Sequence, residues 1–170
     1  LTGAAARCLL RLAACFGGCY RWSMNRAAPL ARKVTTKFEI EESVRRLVAF
    51  LERNKQDGAF DFPFSYSYPN NCCESVSLIL TYLLEEKYGL TNVVIIKGTK
   101  PRKHEHHFWV MVGDLNYDLT AHQFPRHIPI VGKLAHSLFF SFTEWEVEHR
   151  RDFVERDAVI ALHRAGVIPF

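Results

Sequence analysis

Two groups of side chains in this sequence are equipped for chemistry. Adjacent thiols, Cys72 and Cys73, stand just before an apolar run that begins at Val76, and further on His104-Glu105-His106-His107 is followed by Asp118. A thiol becomes an effective nucleophile when its thiolate is stabilised. Aligned N–H groups at a helix N-terminus and a neighbouring imidazole both do this. The residue types therefore point to nucleophilic catalysis through sulfur, with an imidazole to take the thiol proton and a carboxylate to orient the imidazole. The competing fate of either cysteine is inert burial, which is common for free thiols.

Those groups have to be positioned by their elements. The spacing predicts a helix that begins at residues 70–73 and runs through Val76, Leu80, Leu83 and Leu84 to Tyr88, with Gly89 as its C-terminal cap. It is apolar on more than one side and should be central. One of the two thiols then lies at its first turn. The imidazoles fall on a hairpin. Residues 106–112 and 115–120 flank Gly113-Asp114, a dipeptide suited to a two-residue turn. With that turn Val112 faces Leu115 and opposed residue numbers add to 227, so Trp109 faces Asp118 and His107 faces Thr120. Diagonal neighbours on one face are roughly 7–8 Å apart between backbones, within reach of long side chains. His107 and Asp118 are such a pair, whereas His104, His106 and Phe108 point to the other face. Parity thus selects His107 as the base, and a one-residue bulge would reverse the choice.

Elsewhere, Phe38, Ile40, Val44, Leu47, Val48 and Leu51 recur at helical spacing with Glu41, Glu42, Arg45 and Arg46 between them, which predicts an amphipathic helix over 38–53 started near Thr36. Residues 54–71 read as a loop, with a turn at Asp57-Gly58, breaks at Pro63 and Pro69, and an aromatic series Phe60, Phe62, Phe64, Tyr66 and Tyr68. Residues 92–97 have the composition of a buried strand, and 98–103 form a basic loop. Residues 121–142 read as loop with a short strand near 138–142. Thr143 with Glu146 has the pattern of a capping box opening a helix, and 157–165 gives a further helix before Gly166. The element order predicts an α+β fold with a mostly antiparallel sheet.

Composition sets outer bounds. With 170 residues, 48% hydrophobic and 24% charged, the chain fits one compact domain over 38–170. The formal charge of +4 conceals an asymmetry: residues 1–37 hold seven basic residues (Arg7, Arg11, Arg21, Arg26, Arg32, Lys33, Lys37) and no acidic one, and without them 15 basic residues face 18 acidic. The folded body therefore has no nucleic-acid footprint. No apolar run approaches the roughly 18 residues of a membrane span, so no transmembrane segment is expected. In the basic segment Leu9, Leu12, Ala13 and Phe16 recur at helical spacing. The segment is expected to be disordered, a targeting helix, or foreign to the native protein, for which Met24 offers a start. Cys8, Cys15, Cys19, Cys72 and Cys73 make an odd count without framework spacing, against a disulfide-stapled scaffold. No CxxC pair among the first three suggests zinc. The expected location is cytoplasmic, the alternative being organelle targeting or export through the basic segment.

His107-Phe108-Trp109-Val110 and Asp118-Leu119-Thr120 resemble the H-x-W-V and D-x-T motifs of transglutaminase-like cysteine enzymes, whose fold is similar to that of papain. Cys73-Glu74-Ser75-Val76-Ser77, opening a helix that carries Leu80 and Leu83, is similar to that family's nucleophile segment. The resemblance covers about residues 70–124. It implies a papain-like domain, with a central helix packed on an antiparallel sheet. It also implies Cys73, rather than Cys72, as nucleophile, His107 as general base and then acid, and Asp118 as the orienting carboxylate. Neither the upstream tryptophan of transglutaminases nor a glutamine at papain-like spacing precedes Cys73. The Cys73 backbone N–H is therefore the expected oxyanion donor, with Asn70 or Asn71 as side-chain candidates.

The expected reaction is attack of Cys73 on the amide of a protein or peptide, such as a glutamine side chain, giving a thioester that water or an amine resolves; it needs no cofactor and no metal. Two alternatives stand beside it. One is a zinc hydrolase using Cys72 or Cys73 with His104, His106 or His107 and Asp118, although HEHH lacks the helical spacing of zinc proteases. The other is a noncatalytic protein-binding module on the same fold.

Overall fold

A computed structural model of the chain describes residues 35–57 and 67–170. The expectations for the basic N-terminal segment, for Cys8, Cys15 and Cys19, and for Phe60, Phe62, Phe64 and Tyr66 lie outside the described residues.

The chain enters the fold through a reciprocal cap. The Thr36 hydroxyl accepts from the Glu39 amide (3.2 Å) and the Glu39 carboxylate accepts from the Thr36 amide (2.9 Å), which satisfies N–H groups that the first helical turn leaves unpaired. Helix α1 (Lys37–Asp57) follows. It buries Ile40, Val44, Leu47 and Leu51 and keeps Arg45 and Arg46 in solvent. It continues through Asp57, further than the expected end at residue 53, with Asn54 turned into the core.

Helix α2 (Cys73–Tyr88) is buried on all sides from Ser75 to Leu84. Each large aliphatic side chain on it contributes roughly 1.5–3 kcal/mol of burial. It ends at Gly89, whose φ of 61° lets its N–H reach back to the Glu85 carbonyl, a conformation in which a Cβ would be strained.

Five strands follow: β1 (Val93–Lys100), β2 (Glu105–Val112), β3 (Leu115–Asp118), β4 (Ile130–Lys133) and β5 (Glu144–Glu148), with short helix α3 (Ser137–Phe140) between β4 and β5 and α4 (Arg156–Arg164) after them. They form one sheet in the order β4-β3-β2-β1-β5. Every described pairing is antiparallel, so the fold is α+β with an antiparallel five-stranded sheet. All described residues belong to the unit Val34–Phe170. Among them no helix is long and apolar enough to cross a membrane.

Strand alternation sends the core two ways. Val93, Ile95, Val110 and Tyr117 join the large cluster built with α1, α2 and α4, while Ile96 and Trp109 join a smaller one with Ala121, Ile130, Leu138, Phe139 and Phe142.

Three local expectations are corrected. The basic loop begins later, because β1 extends to Lys100 by pairing along β2 as far as Glu105. The strand expected near 138–142 is helical from Ser137 to Phe140, and the strand of that region is β4. Most instructively, Thr143 and Glu146 open no helix: Trp145 pairs with Gly98 and Glu146 with Lys97 in an edge strand. There the Lys97 ammonium donates to Glu146 at 2.8 Å.

Candidate active site

The site begins where α2 begins. Asn71 adopts φ 55°, Cys72 is the N-cap, and the first helical bond runs from the Val76 N–H to the Cys72 carbonyl (2.9 Å). Cys73, the first helical residue, is half-buried beside N–H groups that the helix itself does not use. The thiols have different surroundings. Cys72 is buried, and burial, with the nearby Cys73 and Asp118, pushes its thiol from 9.0 up to about 12. It stays protonated and unreactive. Arg150 pairs with Glu74 in the first turn and partly offsets that carboxylate.

The hairpin supplies the partners. Val112 pairs with Leu115, Met111 with Asn116 and Val110 with Tyr117, the register of a two-residue turn at Gly113-Asp114. His107 and Asp118 are both buried, and the imidazole Nε2 lies 2.7 Å from Asp118 Oδ2. The other carboxylate oxygen accepts from the Thr120 amide and from the Thr120 hydroxyl, each at 3.0 Å. Asp118 is therefore fixed by its own chain two residues on, the physical content of the D-x-T spacing.

Asp118 occupies Nε2, so Nδ1 is the nitrogen left for other partners. Burial works against a charged imidazole here. The charge and hydrogen bond of Asp118 outweigh it, with help from the nearby Cys73 thiol, and His107 is raised from 6.5 to about 9. The structure thus brings Cys73, His107 and Asp118 together.

Aromatic rings hold the imidazole. Phe124 meets it edge-on at 4.9 Å, and Phe142 and Trp109 stack on it at 5.5 and 6.2 Å between centroids. Trp109 is pinned by its indole N–H, which donates to Asn116 Oδ1 (3.0 Å), and by Phe139 stacked at 4.6 Å. Gly98, paired with His107, makes room for this arrangement: a Cβ there would lie 2.6 Å from Trp109 Cζ3 and 2.9 Å from Phe142. The Lys100 ammonium rests 4.1 Å from the Phe142 ring centre, at the wall of a cavity of about 600 Å³ with Arg102, Lys103, Ser141 and Thr143.

The other candidates lie elsewhere. His104 and His106 are exposed, and His106 Nδ1 is 2.9 Å from the Thr99 hydroxyl. Asn70 and Asn71 are exposed in the turn before α2, and neither side chain hydrogen-bonds to the three central residues among the described contacts. No group of three or more His, Cys, Asp or Glu among the described residues could hold a metal ion.

Two further neighbours complete the site: Tyr68, from the aromatic series of the loop, and Gln123, which the sequence reading did not single out. Tyr68 is buried and donates to the Leu119 carbonyl at 2.7 Å, and burial keeps its phenol protonated. Gln123, at the end of a single 3-10 turn (Ala121–Gln123), places its amide nitrogen 3.3 Å from His107 Nδ1 and 3.2 Å from the Thr120 carbonyl. The only available signal was its position five residues after Asp118 on the same segment.

No family model, curated protein or solved structure matches the chain.

Proposed function

We propose that the protein is a thiol-dependent amide hydrolase or acyl-transferase of the transglutaminase-like type, on a papain-like fold, acting on protein or peptide amides such as glutamine side chains. The observation that carries this reading is one buried imidazole held by Asp118 at 2.7 Å on Nε2, with the half-buried Cys73 thiol from the start of α2 close enough to influence the ring.

Asp118 keeps a proton on Nε2, and the proton of Cys73 is taken up at Nδ1, giving a thiolate–imidazolium pair. The sulfur attacks the amide carbonyl, and the carbon–oxygen π electrons move onto oxygen, where the N–H groups at the start of α2 stabilise the charge. The tetrahedral adduct collapses, the C–N bond breaks, and His107 returns the proton from Nδ1 to the departing amine. A thioester is left on Cys73. Water, activated by the same imidazole, releases an acid; an amine instead gives a new amide. Asp118 stabilises the imidazolium throughout without taking its proton.

Mass spectrometry of glutamine-containing peptides incubated with the wild type and with Cys73→Ala tests this. A gain of about one dalton marks deamidation, chain cleavage marks a peptidase, and amine incorporation marks transfer, by the balance of water or amine at the thioester. Each should vanish in Cys73→Ala. Turnover that persists in that variant, or an inert wild type, overturns the reading, and the second result leaves a noncatalytic binding module.

A further inference from the structure

The segment from Asp118 to Gln123 touches both nitrogens of His107. Asp118 holds Nε2, Gln123 approaches Nδ1, and Thr120 joins the two: its N–H and hydroxyl donate to Asp118, and its carbonyl accepts from Gln123. The Thr120 carbonyl also fixes which way the Gln123 amide points. Turned over, the amide would set its own oxygen against that carbonyl, so the nitrogen end faces both the carbonyl and Nδ1. An amide N–H aimed at Nδ1 favours the nitrogen with its lone pair free and opposes the same nitrogen once it carries a proton.

We propose that Gln123 is a positioning residue that opposes Asp118: anchored on the Thr120 carbonyl, its side-chain amide donates to Nδ1 of His107 and disfavours protonation there. This rests on the reading of Cys73, His107 and Asp118 as a catalytic set. It deepens that reading, because a base drawn towards its charged form by a buried carboxylate would keep the proton it takes from Cys73. A donor at Nδ1 makes the proton easier to pass to the departing amine. When Nδ1 does become protonated, the two N–H groups face each other, and the half-buried Gln123 amide must turn aside.

The titratable groups around the ring are few. Asp118 from β3 and Cys73 from α2 act on it directly. Cys72 and Tyr68 lie by Asp118 and stay protonated. Lys100 on β1 sits over Phe124 and Phe142 and is paired with Glu105 at 2.7 Å. His122 on the Gln123 turn is engaged with Glu52 at 2.8 Å. Gln123 is the neutral side chain that reaches Nδ1.

The test follows the alkylation rate of Cys73 by chloroacetamide from pH 4 to 9, located by fragment mass spectrometry, in wild type, Gln123→Met and Gln123→Glu. Removing the donor should strengthen the thiolate–imidazolium pair and move the acidic limb of the profile down by about half to one pH unit, a three- to tenfold faster reaction on that limb. Gln123→Glu should move it further, since a carboxylate at Nδ1 favours the charged ring. Glutamine-peptide turnover by Gln123→Met should fall at the same time, because the amine leaves less readily. A profile unmoved by both variants, or rates lowered equally at all pH values, overturns the proposal and leaves Gln123 as packing alone. A wild-type Cys73 with only the alkaline profile of a free thiol overturns the catalytic reading beneath it.

Discussion

The sheet is packed against different material on its two sides. One side meets aliphatic side chains: Val93, Ile95 and Val110 against Leu47, Leu80, Leu83 and Val159. The other meets rings, with Trp109, Phe139 and Phe142 around His107 and its carboxylate. An aliphatic core is specified mainly by volume and tolerates exchange at constant volume. A buried ion-paired imidazole demands that every polar atom find a partner, and its desolvation cost has to be offset elsewhere. Stability is thus concentrated on the helical side, and the buried His107–Asp118 pair on the aromatic side.

Matched truncations on the two sides should separate these roles. Leu83→Ala and Trp109→Ala should each lose about 3–4 kcal/mol in urea unfolding. Only Trp109→Ala should change the alkylation rate of Cys73, since Trp109 stacks on His107. Equal effects of both on the thiol would break the distinction. Removing the carboxylate comes next: Asp118→Ala should cost about 3 kcal/mol near pH 6 and change the pH dependence of folding. Because the folded protein holds the His107 proton up to about pH 9 while the unfolded chain releases it near 6.5, that stabilisation is complete below 6.5 and is lost as pH rises through 9. Cys72, pushed from 9.0 up to about 12, adds a decline only above 9, so the interval between belongs to His107. Urea midpoints of the wild type should fall across it, and those of Asp118→Ala should stay level. Gly98→Ala should destabilise by about 2 kcal/mol through overpacking against Trp109 and Phe142, and should disturb Cys73 reactivity out of proportion to that loss. The smallest effect is expected for Thr36→Ala, about 1 kcal/mol from the lost cap. A fall in melting temperature with an unchanged thiol profile would place that loss wholly on the helical side.

The same four-residue pattern occurs in both parts of the chain and shows where sequence reading stops. Thr36 and Glu39 cap α1. Thr143 and Glu146 share their spacing but lie at the strand β5, where β1 offers a ladder to pair with and Lys97 a partner for Glu146. The pattern is local and the decision was not. The hairpin register, the start of α2 and the juxtaposition of His107 with Asp118 were legible because each follows from adjacent residues and strand parity. The roles of Gly98, Tyr68 and Gln123 were not, because each depends on a contact made only after folding: a ring from β2, a carbonyl after β3, and an imidazole nitrogen whose other side was already taken.

The two-residue turn between β2 and β3 also determines which changes of chain length the site can absorb. Asp118 reaches His107 because Gly113-Asp114 joins the strands with an even count and the Val112–Leu115 pairing follows directly. Inserting one residue there and keeping the ladder would turn Asp118 and Asn116 together towards the helices and leave His107 and the Trp109 indole facing Tyr117 and Leu119. Two inserted residues with the same tight turn would return Asp118 and Asn116 to the face of His107 and Trp109. Length variation at this turn should therefore be accepted in steps of two.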